Sequence, residues 1–308
     1  MTQISLNGIR LSRPMAAALR RYDLEGDTLH KALAAHRINM VNAGGHFKPD
    51  TLNFTCCLDP EACQQPSVLD LLPDFVFPVS LVSLYPHKED SKLLWLLLDL
   101  LKGSPFVPHH LTSSHAVISL VLDTSQVDDF ISLLETRVTL PDSRTPYVQE
   151  VDMDISEVLQ KYPETRSSYE EERIKTYGIQ LLSDLSMTRD TGDLDAILET
   201  ESMGPRAGSF VFVSMVRSQP QEAGNSASDL ILITRGELSG SRRVDLIRFH
   251  GPHFGDRYRI LQTALDCLEK AGIPLICFGC TGASIALVLD AGQGTAAQSA
   301  LGKGFEAP

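Results

Sequence analysis

A chain of 308 residues, 43% hydrophobic and 21% charged, has the balance of a globular protein and room for two ordinary domains or several small ones. Its net charge of -12 repels phosphate backbones, so nucleic acid is not an expected partner. No apolar run approaches the ~18 residues of a membrane span and no secretory h-region is visible; the six cysteines lack a framework spacing and read as reduced thiols of a cytoplasmic protein.

Four segments with similar order follow one another. In residues 1–74, Asp27 or Thr28 can cap a helix carrying Leu29, Ala32, Leu33 and His36. A strand over 38–41, a turn at Gly44-Gly45-His46 and a strand over 52–58 closed by Asp59 complete that segment. Residues 75–140 open with a strand at 79–84 and a loop at Tyr85-Pro86-His87. A helix over 91–102, a strand at 118–122 closed by Asp123 and a helix over 126–134 follow. The acidic stretch 141–173 reads as a linker with a helix at 155–161. Residues 174–240 give a strand at 178–185, a short helix at 194–199, and strands at 210–216 and 230–234 around a flexible loop, 218–229. Residues 241–308 give a strand at 244–249, a loop at His250-Gly251-Pro252-His253 and an amphipathic helix over 258–271 closed by Lys270 and Gly272. A strand at 285–290, a helix at 295–301 and a frayed end conclude the chain.

The second and fourth segments repeat. Ile118-Ser119-Leu120-Val121-Leu122-Asp123 and Ile285-Ala286-Leu287-Val288-Leu289-Asp290 differ only at their second residue. Thr112-Ser113-Ser114 stands before the first run and Cys280-Thr281-Gly282 before the second. The expected fold is α+β: tandem ferredoxin-like βαββαβ modules, each an antiparallel sheet with helices on one face. The bare face must pack on a partner sheet.

These residues resemble the ACT domains that regulate aspartokinases. Ala271-Gly272-Ile273-Pro274 matches the family's corner after the helix, 284–290 its last strand, and Leu111-Thr112-Ser113-Ser114 its Ser/Thr-rich strand end. The kinase's opening phosphate-binding strand is not recognisable over 1–13, so the resemblance implies a non-catalytic regulator. It also implies a homodimer through sheet pairing, and an amino acid or related metabolite held at the loop after a module's first strand, facing its neighbour. In the last module that loop gives His250, Gly251, Pro252, His253, Gly255, Asp256 and Arg257, with Thr281 at the strand end. In the second it gives His87 and Asp90, with Thr112 and Ser113. Asp256 and Arg257 carry the charges that would meet an ammonium and a carboxylate.

Two other readings stand beside it. His250-x-x-His253 and Cys277-x-x-Cys280 have zinc-like spacings, which with Asp256 would suit a metalloenzyme, or the modules could serve as an interaction scaffold. Buried cysteines more often act as small hydrophobes. No catalytic residue is assigned, and neither a cofactor nor a metal is expected.

Overall fold

The structure is a computed structural model that describes residues 4–23, 29–58, 62, 75–85, 91–115, 117–140, 173–199, 210–217, 227–236, 240–251, 254, 258–282 and 284–306. Two short strands, β1 (Ile4–Ser5) and β2 (Gly8–Leu11), come first. A first unit follows: β3 (Met15–Asp23), α1 (Leu29–Ala35), β4 (Met40–Phe47) and β5 (Thr51–Leu58). The second is β6 (Phe75–Tyr85), α2 (Ser91–Leu101), β7 (His110–Ser113) and β8 (Ile118–Asp123), trailed by α3 (Val127–Glu135) and β9 (Val138–Thr139). After β10 (Ile174–Lys175) the third unit is β11 (Ile179–Gly192), α4 (Leu194–Glu199), β12 (Phe210–Arg217) and β13 (Ser228–Thr234). The fourth is β14 (Arg242–His250), α5 (Ile260–Lys270), β15 (Leu275–Cys280) and β16 (Ser284–Asp290), followed by α6 (Gly294–Leu301) and β17 (Phe305–Glu306).

The chain is therefore two halves with the same plan. In each, the opening two-residue strand pairs in parallel with the closing one, β1 with β9 and β10 with β17. Within a unit the third strand lies between the first and the second, as in β3-β5-β4 and β14-β16-β15. The halves interlock antiparallel: β4 of the first unit pairs with β15 of the fourth, and β12 of the third with β7 of the second. β6 pairs with β2 and β3 along one edge and β8 along the other, which closes the thirteen-stranded sheet on itself. Closure removes the open edges that such strands otherwise present. These edge pairings between units are made within one chain.

Both faces of the sheet are covered. α1, α5 and α6 pack with Phe54, Phe278 and Leu287 in one outer core, and α2, α3 and α4 pack with Leu120, Val213 and Leu232 in another. Inside the closed sheet, Met187, Phe212, Ile231, Leu246 and Val288 form one apolar layer and Ala17, Val79, Leu81 and Val121 a smaller one. Strands buried on two faces carry near-continuous apolar runs rather than alternating, as in Phe210–Val213 of β12 and Leu230–Ile233 of β13.

Three expectations are corrected. Gly44-Gly45-His46 is no turn but the middle of β4; the chain reverses at 48–50, where Lys48 N donates to Thr51 O at 2.7 Å. Ser228 and Asp229 belong to β13 and are buried, not part of a loop. The C-terminal stretch is tied down through Glu306 by β17 and by donation from Thr176 N to Glu306 O at 2.8 Å. The helix expected at 155–161 lies outside the described residues.

Candidate ligand clefts at the unit junctions

Buried polar groups gather where the halves interlock. On β4, Ala43 packs on the helix side, so Asn42, Gly44 and His46 face the inside of the closed sheet. His110 Nδ1 lies 2.6 Å from Asn42 Oδ1, which only accepts, so this nitrogen carries the proton. His46 Nε2 lies 2.9 Å from Ser214 Oγ on β12, and its Nδ1 is 3.5 Å from Asp229 Oδ1. Arg189 on β11 grips Asp229 with Nε and Nη2, at 3.0 and 2.6 Å, and donates from Nη1 to Phe47 O at 2.8 Å. One guanidinium thereby ties the first unit to the third.

Burial works to raise the Asp229 carboxyl, yet the neighbouring His46 and the Arg189 fork together hold it well below the carboxylate range. Burial pushes His46 down, with Asp229 opposing. His110 is pushed down to about 3 by burial, helped by His46. A neutral His46 with its proton on Nδ1, toward Asp229, accepts from Ser214. Ser214, His46 and Asp229 are the residue types of a hydrolase triad. All three are buried and Arg189 occupies the carboxylate, so this set is structural.

Along the β4–β15 junction a cleft of about 590 Å³ opens between α1 and the C-terminal part of α5. Phe47, Leu52, Leu265 and Ile276 supply apolar lining. Lys31, Lys48, Arg189 and Arg242 bring positive charge and Glu269 and Asp290 negative. Lys31 Nζ is 3.4 Å from Glu269, Lys48 Nζ is 3.8 Å from Asp229, and Arg242 pairs with Asp290. His30, lowered to about 4 by burial and by the charge of Lys31, closes one side. These residues escaped the sequence reading. The signal available was an Arg among apolar neighbours on one strand face, Met187 and Arg189, and an Asp opening the apolar run 229–234.

A second cleft, of about 270 Å³, lies at the mouth of the space inside the closed sheet. It brings together His250 and Ser113, which the sequence had placed in separate modules. His250 meets Tyr177 in a tilted ring contact, centroids 5.3 Å apart, and Ser113 Oγ accepts from Val213 N at 3.0 Å. Thr112 points to the opposite face of β7, against Gly279, and so does not share a site with Ser113. Thr281 Oγ1 is 2.8 Å from Ser284 Oγ, a local turn contact. Gly251 has a packing reason: a Cβ there would run into Lys175 O and approach Phe254 Cε1 to 2.7 Å. Pro252, His253, Gly255, Asp256, Arg257, His87 and Asp90 lie outside the described residues.

The cysteine half of the zinc-like pattern does not converge. Cys277 faces the inner layer and Cys280 the outer core, as residues three apart on a strand must. Burial raises both thiols, Cys280 to about 11. Cys56 and Cys57 likewise point to opposite faces, and both are buried. Among the described residues no three His, Cys, Asp or Glu side chains cluster as metal ligands. No described helix is long and apolar enough to cross a membrane.

Fold and clefts together define an α+β assembly of β-α-β-β units with helices outside a closed antiparallel sheet and ligand-sized gaps at the junctions. Its structural neighbours include an aspartate kinase and a regulatory subunit of aspartate kinase. It superimposes on aspartate kinase from Synechocystis with a TM-score of 0.69 at 11% identity, over 99% of this chain. That shows a shared fold, and the chain spans 56% of the Synechocystis enzyme's length. The ligand-free regulatory subunit of aspartate kinase from Thermus thermophilus matches over 42% of this chain and 99% of its own, with 13% identity and a TM-score of 0.34, too weak a likeness to weigh. No protein-family model and no curated protein matches the sequence.

Proposed function

We propose that this chain is a regulatory protein of the cytoplasm that binds an amino acid or a related small metabolite in the cleft between its first and fourth units. The observation that carries this reading is the charge arrangement of that 590 Å³ cleft. Arg242 pairs with Asp290, Lys31 with Glu269 and Lys48 with Asp229 in a cleft with apolar lining. A zwitterion can exchange into such ion pairs, its carboxylate taking the cations and its ammonium the acids. The shared fold with an aspartate kinase supports a regulatory role. The four units are read as tandem ACT-like βαββαβ modules over 1–74, 75–140, 174–240 and 241–308. In this reading the loop from Pro252 through His253 and Gly255 to Arg257, and His87 with Asp90, contact ligand at equivalent junctions. A homodimer would use a surface other than the strand edges already paired within the chain.

Calorimetry and thermal-shift measurements against the twenty amino acids at millimolar concentration test it. At least one is expected to bind, raising stability by about 2.7 kcal/mol at one hundred times Kd. Lys48→Ala is expected to weaken that binding tenfold or more. No response to any of the twenty, or binding indifferent to Lys48→Ala and Arg242→Ala, defeats the proposal.

A further inference from the structure

The 270 Å³ cleft has a different chemistry. Its walls come from both halves: β11, β14, β16 and the start of β12 from the second, and the turn after β7 from the first. The floor is apolar, built from Phe212, Leu246, Ile285 and Ala286. At the mouth stands Arg248, whose Nε donates to Gln180 Oε1 at 2.7 Å. That bond fixes the plane of the guanidinium, and a guanidinium of fixed plane suits the two oxygens of a carboxylate. Tyr177, 64% exposed, and His250 form an aromatic rim, their ring planes inclined at 50°.

The halves differ at this point. Register pairing places Arg248 opposite Gln180 and Ala286, and in the first half the same pairing places Ser83 opposite Arg10 and Ser119. Ser83 Oγ there lies 3.2 Å from Ser119 Oγ. Two hydroxyls that pair with each other thus stand where the second half has a cation above an alanine. The second half thus carries its cation on β14 above an alanine, whereas the first carries Arg10 on β2 across from a serine, so the two halves present different groups at this point.

We propose that this cleft binds a small carboxylate with an aromatic or bulky apolar body. The body lies on Phe212 and Ala286 inside the closed sheet, and the carboxylate meets Arg248 at the mouth. The cleft is too small for a large cofactor and mostly apolar, so one ring with a short acidic arm suits it. Because the turn at 113–115 contributes to the wall, the ligand touches both halves at once.

The probe is phenylacetate, with phenylacetamide as its uncharged counterpart, titrated into the full chain and followed by calorimetry. Phenylacetate is expected to bind, phenylacetamide at least tenfold more weakly. Arg248→Leu is expected to remove that preference, bringing the two affinities within threefold. Ser284→Trp, a rim change, is expected to block both probes, and its melting curve establishes that the chain is folded. Lys48→Ala is expected to leave both affinities unchanged, which separates this site from the junction cleft. Absence of phenylacetate binding, equal affinity for the amide, or an undiminished preference in Arg248→Leu each overturns the proposal. A loss caused by Lys48→Ala would move the probe to the other cleft and overturn it as well.

Discussion

Asp229 shows how one residue can join parts of a chain that are far apart in sequence. Its carboxylate is held by Arg189, lies near His46 and Lys48, and has no exposed side-chain surface. The imidazoles around the junction set the response to acid. His110 is held down to about 3 and His30 to about 4, whereas an unfolded histidine titrates near 6.5. Between those values the unfolded chain binds more protons than the folded one, so stability falls as pH drops below about 6.5. Asp229 adds a loss only lower, as pH falls through the ordinary carboxylate range, because its folded value is depressed. At pH 5 the contribution of His110 alone is about 2 kcal/mol. Urea unfolding at pH 7 and pH 5 is expected to show the loss, and His110→Gln to shrink the difference by roughly that amount. An unchanged pH dependence in the variant would contradict the buried, neutral His110. None of this network was legible in the sequence. A lone Asp ahead of an apolar run looks like the end of a loop, and only the pairing of β13 with β11 puts it beside Arg189.

At the scale of strands and helices, the elements least visible were those whose surroundings come from elsewhere in the chain. The 118–123 and 285–290 runs, strongly apolar and closed by Asp, are β8 and β16 nearly to the residue. α4 falls on the expected 194–199. β4 was misread because two adjacent glycines signal a turn, whereas here they admit neighbours. A Cβ at Gly44 would collide with the His110 ring, and one at Gly45 with the Phe278 ring. Gly279, the register partner of Gly44, has the same role: a Cβ there would strike Thr112 Oγ1 and approach Phe212 Cζ to 3.0 Å. Gly279→Ala is therefore expected to cost about 1–3 kcal/mol, and less when Thr112→Ala is added, because the second change vacates the contested space. Gly192→Ala, with nothing within 4 Å of the added carbon, serves as the neutral control. Denaturant melts of the four variants decide the matter; strictly additive costs would mean that Thr112 is not the obstacle.

For the molecule as a whole, the α+β class with a mostly antiparallel sheet was readable from the repeat, but the partnering of its strands across the chain was not. The sequence pointed to an uncovered sheet face and left open whether another module of the chain or a second copy covers it. The structure covers it with the apolar layers inside the closed sheet, which closes because each half pairs its outer strands with those of the other half. Nothing local encodes that choice, since it depends on registers between segments more than one hundred residues apart. Two separate polypeptides, 1–140 and 173–308, are accordingly expected to copurify as a one-to-one complex when expressed together. Either alone is expected to self-associate through its unpaired edges. Light scattering after size exclusion checks this; two well-folded monomers indifferent to each other would count against the interlocked arrangement.

The interlock also has a consequence in time. β4 leaves the ribosome roughly 230 residues ahead of β15, which at 5–20 residues per second is an interval of about 10 to 50 seconds. For part of it, after β7 has emerged and before β12 follows, the nascent first half carries two strand borders with nothing to bond to. A chaperone that shields such borders during translation would find its client here, and synonymous codon changes that slow synthesis of the second half should lower the soluble yield without altering a single residue.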